Sequence, residues 1–147
     1  MSKLMTGVGD FAVCKNAADQ FYVTAKKCKG DNYLDFLSNG FYPYSVNIAF
    51  ACELYLKAIV IHRSPNDEFI KGHNLKDLFD TLEQVDSQYI ENEFTAKLPV
   101  KSLNTFLADN GNVFVDWRYA LEKTVSIDLT GIEVFADVLK NYVHTLV

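Results

Sequence analysis

Val46–Ile61 reads VNIAFACELYLKAIVI, and Glu53 and Lys57 are nearly the only polar residues in it. A helix that is apolar almost all round is buried by its neighbours, so any charge it carries has to be paired or aimed out of the core. The run therefore predicts a helical bundle with this segment, from about Ser45 to about His62, at its centre. Ser64-Pro65-Asn66-Asp67 ends it, because Pro65 cannot continue a helix and biases Ser64 toward an extended backbone.

Working outward, Phe11, Cys14, Ala18, Phe21, Ala25 and Cys28 recur at steps of three and four, a helical seam with lysines and Asp19 on the other side. Asp10 suits its N-cap and Gly30 its stop. Lys26-Lys27-x-Lys29 reads as a solvated helix end that complements the macrodipole, with an anion patch as the alternative. His62-Arg63 reads as a similar surface pair at the end of the central helix. Asp31–Tyr44 is aromatic and rich in turn residues, Ser38-Asn39-Gly40 and Pro43 acting as breakers. Beyond the central run, Leu75, Leu78, Phe79, Leu82 and Val85 predict a third helix over 75–85, with His73-Asn74 at its start. Shorter helices are expected around 87–97 and 101–108, the latter stopped by Asn110-Gly111. Val113–Leu121 is read as an irregular lead into a short helix, since no second strand is evident to pair with it. Thr130-x-x-Glu133 has the form of a capping box for the last helix. The fold class is all-α: an antiparallel bundle of four main helices plus one or two short ones.

Composition narrows the function classes. A chain of 147 residues is one domain, able to bury a core without disulfides or a metal. Cys14, Cys28 and Cys52 are odd in number and lack metal-ligand spacing, which suits a reducing cytosol and gives no metal site. The first residues have no secretory h-region, and the longest apolar stretch is interrupted by charge and too short to span a bilayer. A net charge of −5 opposes broad attraction to nucleic acid but leaves room for a local basic pocket.

The chemistry-bearing residues form three groups. Glu53 and Lys57 are one helical turn apart, in the favourable order for an ion pair. His73 precedes a helix, whose positive end favours the neutral imidazole that a general base requires; the plainer alternative is a helix cap. Asp116-Trp117-Arg118-Tyr119 with Glu122 sets a guanidinium beside aromatic faces. Arg118 is suited to a phosphate or carboxylate and Trp117 or Tyr119 to stacking; Arg118 could equally pair with Glu122, four residues on, or with Glu53 as a tertiary partner. No phosphate-binding glycine loop, HExxH or GxSxG occurs.

Ala51–Ile59 (ACELYLKAI), Gly72–Phe79 (GHNLKDLF) and Phe114–Tyr119 (FVDWRY), in this order and spacing, resemble the HEPN superfamily of prokaryotic helical domains. The likeness covers about 45–122. It implies an antiparallel bundle, often dimeric, in toxin–antitoxin, defence or RNA-processing systems, sometimes partnered by a minimal nucleotidyltransferase. Many HEPN proteins are metal-independent ribonucleases whose motif is an Arg followed, after four to six residues, by a His. Here the positions that would hold that His after Arg118 are Lys123, Thr124 and Val125, and after Arg63 they are Glu68, Phe69 and Ile70. No catalytic residue carries over.

The expectation is therefore a non-catalytic, cofactor-free homodimeric module of the cytosol. It would bind RNA, a nucleotide or a protein partner around Glu53, Lys57, His73, Arg118 and Tyr119. One alternative is a metal-independent endoribonuclease using His73 as base and Arg118 as phosphate clamp. Another is a structural subunit whose interface is an aromatic surface of Phe36, Phe41, Tyr42 and Tyr44.

Overall fold

The structure, a computed structural model, describes residues 6–112 and 128–146. Its elements are β1 (Thr6–Val8), α1 (Phe11–Lys27), α2 (Tyr33–Asp35), a π-helical turn (Phe36–Gly40), α3 (Phe41–Arg63), β2 (Glu68–Ile70), α4 (Leu75–Asp80), α5 (Gln84–Lys97), α6 (Leu103–Asn110) and α7 (Leu129–Val143). The fold is all-α apart from the short antiparallel ribbon β1–β2, in which Thr6 pairs with Ile70 and Val8 with Glu68. Neither strand was legible as one: three residues are too few to show alternation.

α3 is the central rod. Ile48, Tyr55, Leu56 and Ile59 are fully enclosed, each worth about 1.5–3 kcal/mol of apolar burial. α1 runs antiparallel to it, as the contacts Phe11–His62 and Phe21–Phe50 show. α7 runs antiparallel to α1, through Lys26–Glu133 at one end and Asp19–His144 at the other. α5 opposes α7 in the same way, with Tyr89 on Tyr142 and Phe94 on Phe135. α3 and α7 are therefore parallel and pack directly against each other, where Phe135, Ala136 and Leu139 complete the core.

Several boundaries differ from expectation. The central helix begins at Phe41, not near Ser45, and continues backward through the π-helical turn to Tyr33. Ser38-Asn39-Gly40 does not break the chain. The widened turn shifts the hydrogen-bond register just before Pro43, leaving the proline in the first turn of α3, where its missing N–H costs least. Gly40 is required there, because a Cβ would fall 1.6 Å from the Cys28 carbonyl oxygen. At 31 residues this helical run is long and apolar enough to cross a membrane by length and composition, contrary to the expectation that it is too short. However, 67% of its most apolar window is buried within the bundle, as a core helix requires.

The expected third helix stops at Asp80, and the longer one is α5, starting at Gln84; Val85 is 61% exposed instead of facing the core. The break at Leu82-Glu83 re-aims the chain so that Asp86 enters the core. The capping box is also replaced: Asp128 caps α7 by accepting from the Gly131 N–H, and Glu133 faces α1. The aromatic surface dissolves as proposed, since Tyr44 and Phe36 are core residues while Tyr42 is exposed. Asp10, Asn74 and Ser102 cap α1, α4 and α6 through their side chains. The segment 113–121, with its irregular reading, lies outside the described residues.

Candidate functional site

Glu53 and Lys57 are held midway along α3, where helical spacing puts them one above the other on the face covered by the β1–β2 ribbon. Lys57 Nζ donates to Glu53 Oε2 at 3.2 Å, and the two residues are only 9% and 1% exposed. The Lys57 ammonium also lies 5.5 Å from the centre of the Phe69 ring on β2. After β2 the chain turns through Gly72, at φ 134°, and delivers His73 to the same place. His73 Nδ1 is 2.7 Å from Glu53 Oε1, so both carboxylate oxygens have partners.

An ionised carboxylate only accepts hydrogen bonds, so His73 Nδ1 is the donor in this contact with Glu53 Oε1. His73 is the exposed member of the set, its side chain 46% accessible against 2% for Glu53. Asn74 beside it caps α4, accepting from the Asp77 N–H at 3.0 Å. His73 and Asn74 are thus adjacent residues with separate partners. Cys14 on α1 stands against the same cluster. Burial raises its thiol to about 11, Lys57 pulling it down and Glu53 pushing it up, and its Sγ donates to the Leu54 carbonyl.

Of the expected site residues, Glu53, Lys57 and His73 are brought together. Arg118 and Tyr119 lie outside the described residues, as does any contact between Arg118 and Glu53. Among the described residues no group of three or more His, Cys, Asp or Glu side chains is placed to hold a metal ion.

Three other polar clusters had no local signal. Arg63 is not half of a surface pair: its Nε and Nη2 bind both oxygens of Asp86 at 3.0 and 2.8 Å, and Asp86 is fully buried. Tyr142 from α7 donates to the same carboxylate. At the middle of α1, Asp19 accepts from the buried Tyr55 hydroxyl at 2.5 Å and meets His144 Nε2 at 2.9 Å. Near the end of α1, Lys27 and Lys29 are exposed as expected of a solvated helix end, but Lys26 and Lys29 also have a partner. They converge on Glu133 at 2.5 and 3.0 Å, joined by the Tyr44 hydroxyl at 3.0 Å. Burial disfavours charge on Glu133, but hydrogen bonds from Lys26, Lys29 and Tyr44 outweigh it and hold the carboxyl below its usual range. These groups are far apart in sequence, which is why periodicity could not pair them.

No protein-family model, curated protein or solved structure matches the chain.

Proposed function

We propose that the chain is a HEPN-like helical module of a prokaryotic defence, toxin–antitoxin or RNA-related system, working in the cytosol as a homodimer and acting by binding rather than by catalysis. The observation that supports this reading is that both oxygens of Glu53 are engaged, one by Lys57 and the other by His73. Lys57 is the lysine of the cluster among the described residues, and it is committed to Glu53, so it is poorly placed to meet the developing charge of a phosphoryl transition state. His73 is the solvent-accessible member of the cluster. Arg118 and Tyr119 would add a guanidinium fork and a stacking face for RNA, a nucleotide or a protein partner such as a nucleotidyltransferase.

The test is sedimentation together with RNA binding and cleavage in EDTA. The module reading expects a concentration-dependent dimer, binding weakened by His73→Ala and by Arg118→Ala, and no cleavage. A monomer at micromolar concentration that ignores RNA, nucleotide and protein partners would refute it.

One observation favours the endoribonuclease reading. Glu53 orients His73 through Nδ1, as a general base is oriented by a buried carboxylate. RNA cleavage in EDTA that disappears in both His73→Ala and Arg118→Ala would establish that reading over the first.

A further inference from the structure

We infer that the cleft between the end of α1, the π-helical turn and the start of α7 binds a small organic cation through a primary ammonium group, with Lys29 as its resident competitor. The cleft encloses about 560 Å³ and is lined by three aromatic rings, Tyr33, Phe36 and Tyr44, with Glu133, Asp137 and Lys29 as its charged groups. That volume lies within the range of roughly 300–1,000 Å³ typical of small-molecule sites. The site is separate from Glu53, which is further along α3 than Tyr44 by about 13 Å of helix rise, and the inference does not depend on the function proposed above.

The chemistry of recognition is already displayed by the chain itself. The Lys29 ammonium donates to both oxygens of Glu133, at 3.1 and 3.0 Å, and lies 6.0 Å from the centre of the Tyr44 ring. A carboxylate fork beside an aromatic face is how a protein holds an alkylammonium. Lys29 follows the last turn of α1 and its side chain is 45% exposed, so its hold on Glu133 is weak and readily exchanged. When it swings away, Lys26 and the Tyr44 hydroxyl still fix the carboxylate. Tyr33, 69% exposed at the rim, offers a further ring to the ligand's carbon chain. Both carboxylates are already paired, Glu133 with Lys26 and Lys29 and Asp137 with the Tyr22 hydroxyl and, at 3.5 Å, Lys26, so an incoming ammonium enters by taking the place of Lys29. Lys26 and Lys140 stand behind, each 5.2 Å from the centre of the Tyr22 ring.

Titration calorimetry with spermidine, and separately with Nα-acetyl-lysine methylamide, tests the inference on the intact chain. Spermidine is expected to bind the wild type and to bind Lys29→Met about tenfold more tightly, the competitor having been removed. Glu133→Gln should weaken it by about tenfold or more, the loss of a charge-assisted contact. Tyr33→Ala should also weaken it, and that exposed position leaves folding intact. Equal affinity for the lysine derivative would assign the ammonium to a partner's lysine side chain; preference for spermidine assigns it to a free polyamine. The inference is overturned if neither amine binds, if Lys29→Met binds spermidine no better than wild type, or if benzoate binds more tightly than spermidine.

Discussion

His73 Nδ1 sits 2.7 Å from Glu53 Oε1, so a loop residue almost half exposed is tied to a carboxylate that water barely reaches. The tie makes the position of His73 depend on α3, and that of Glu53 on Lys57 one turn along. Buried charge is stabilising here only while each member keeps its partner.

Glu53→Ala should therefore destabilise the chain by about 3–5 kcal/mol, because Lys57 is left in the core without a counter-charge. His73→Ala should cost less, about 1–2 kcal/mol, since it takes the partner from Glu53 Oε1 but opens that oxygen to water. Replacing the pair together, Glu53→Leu with Lys57→Met, should recover most of the loss. Urea unfolding of the three variants beside the wild type measures all of this; a double variant as unstable as Glu53→Ala would show that the pair is not coupled.

Asp86→Ala should be comparably severe, about 3–5 kcal/mol, since Arg63 and the Tyr142 hydroxyl both lose the acceptor that joins α3, α5 and α7. Tyr142→Phe removes one hydrogen bond and should cost about 1 kcal/mol. Thermal unfolding should rank them in that order.

Acid should loosen the contacts that hold the start of α7. Burial opposes charge on Glu133 and Asp128, but the bonds from Lys26, Lys29 and Tyr44 in one case, and from Lys101 and the Gly131 N–H in the other, leave both carboxyls lower than in the unfolded chain. Such groups add stability that is complete above their unfolded values, 4.5 and 3.8, and that is lost as the pH falls through the folded ones. Urea midpoints measured from neutral pH downward should stay level and then drop below the mid-fours, and Glu133→Gln should flatten the upper part of that drop.

The Cys14 and Cys52 thiols should resist alkylation at mildly alkaline pH. Burial lifts Cys14 to about 11 and Cys52 well above the ordinary thiol range, so little thiolate forms at either. Iodoacetamide labelling followed by mass spectrometry should show both blocked in the folded chain and open in urea.

Much of this molecule could be read from local pattern. The apolar run through Glu53 and Lys57 announced a buried rod, and Asp10, Asn74 and Pro65 marked helix ends, because caps and breakers act within a few residues of themselves. The i,i+4 pair was legible for the same reason. Misreadings occurred where a residue had a distant use. Glu133 has capping-box spacing yet serves Lys26 and Lys29, and Asp128, five residues earlier, does the capping. Gly40 looked like a breaker, but it is the point where the helical run passes against Cys28.

By itself, then, the order of residues determined that the chain is helical, which segment lies at its centre, and that this segment carries an acid and a base one turn apart. Hydrogen-bond periodicity and backbone sterics are short-range, so a single strand of text is enough to express them. Only the tertiary structure decided what those charges meet: His73 on Glu53, Asp86 on Arg63, Glu133 on two lysines. Such pairings form between groups up to about a hundred residues apart, once burial has withdrawn the water that would otherwise solvate them.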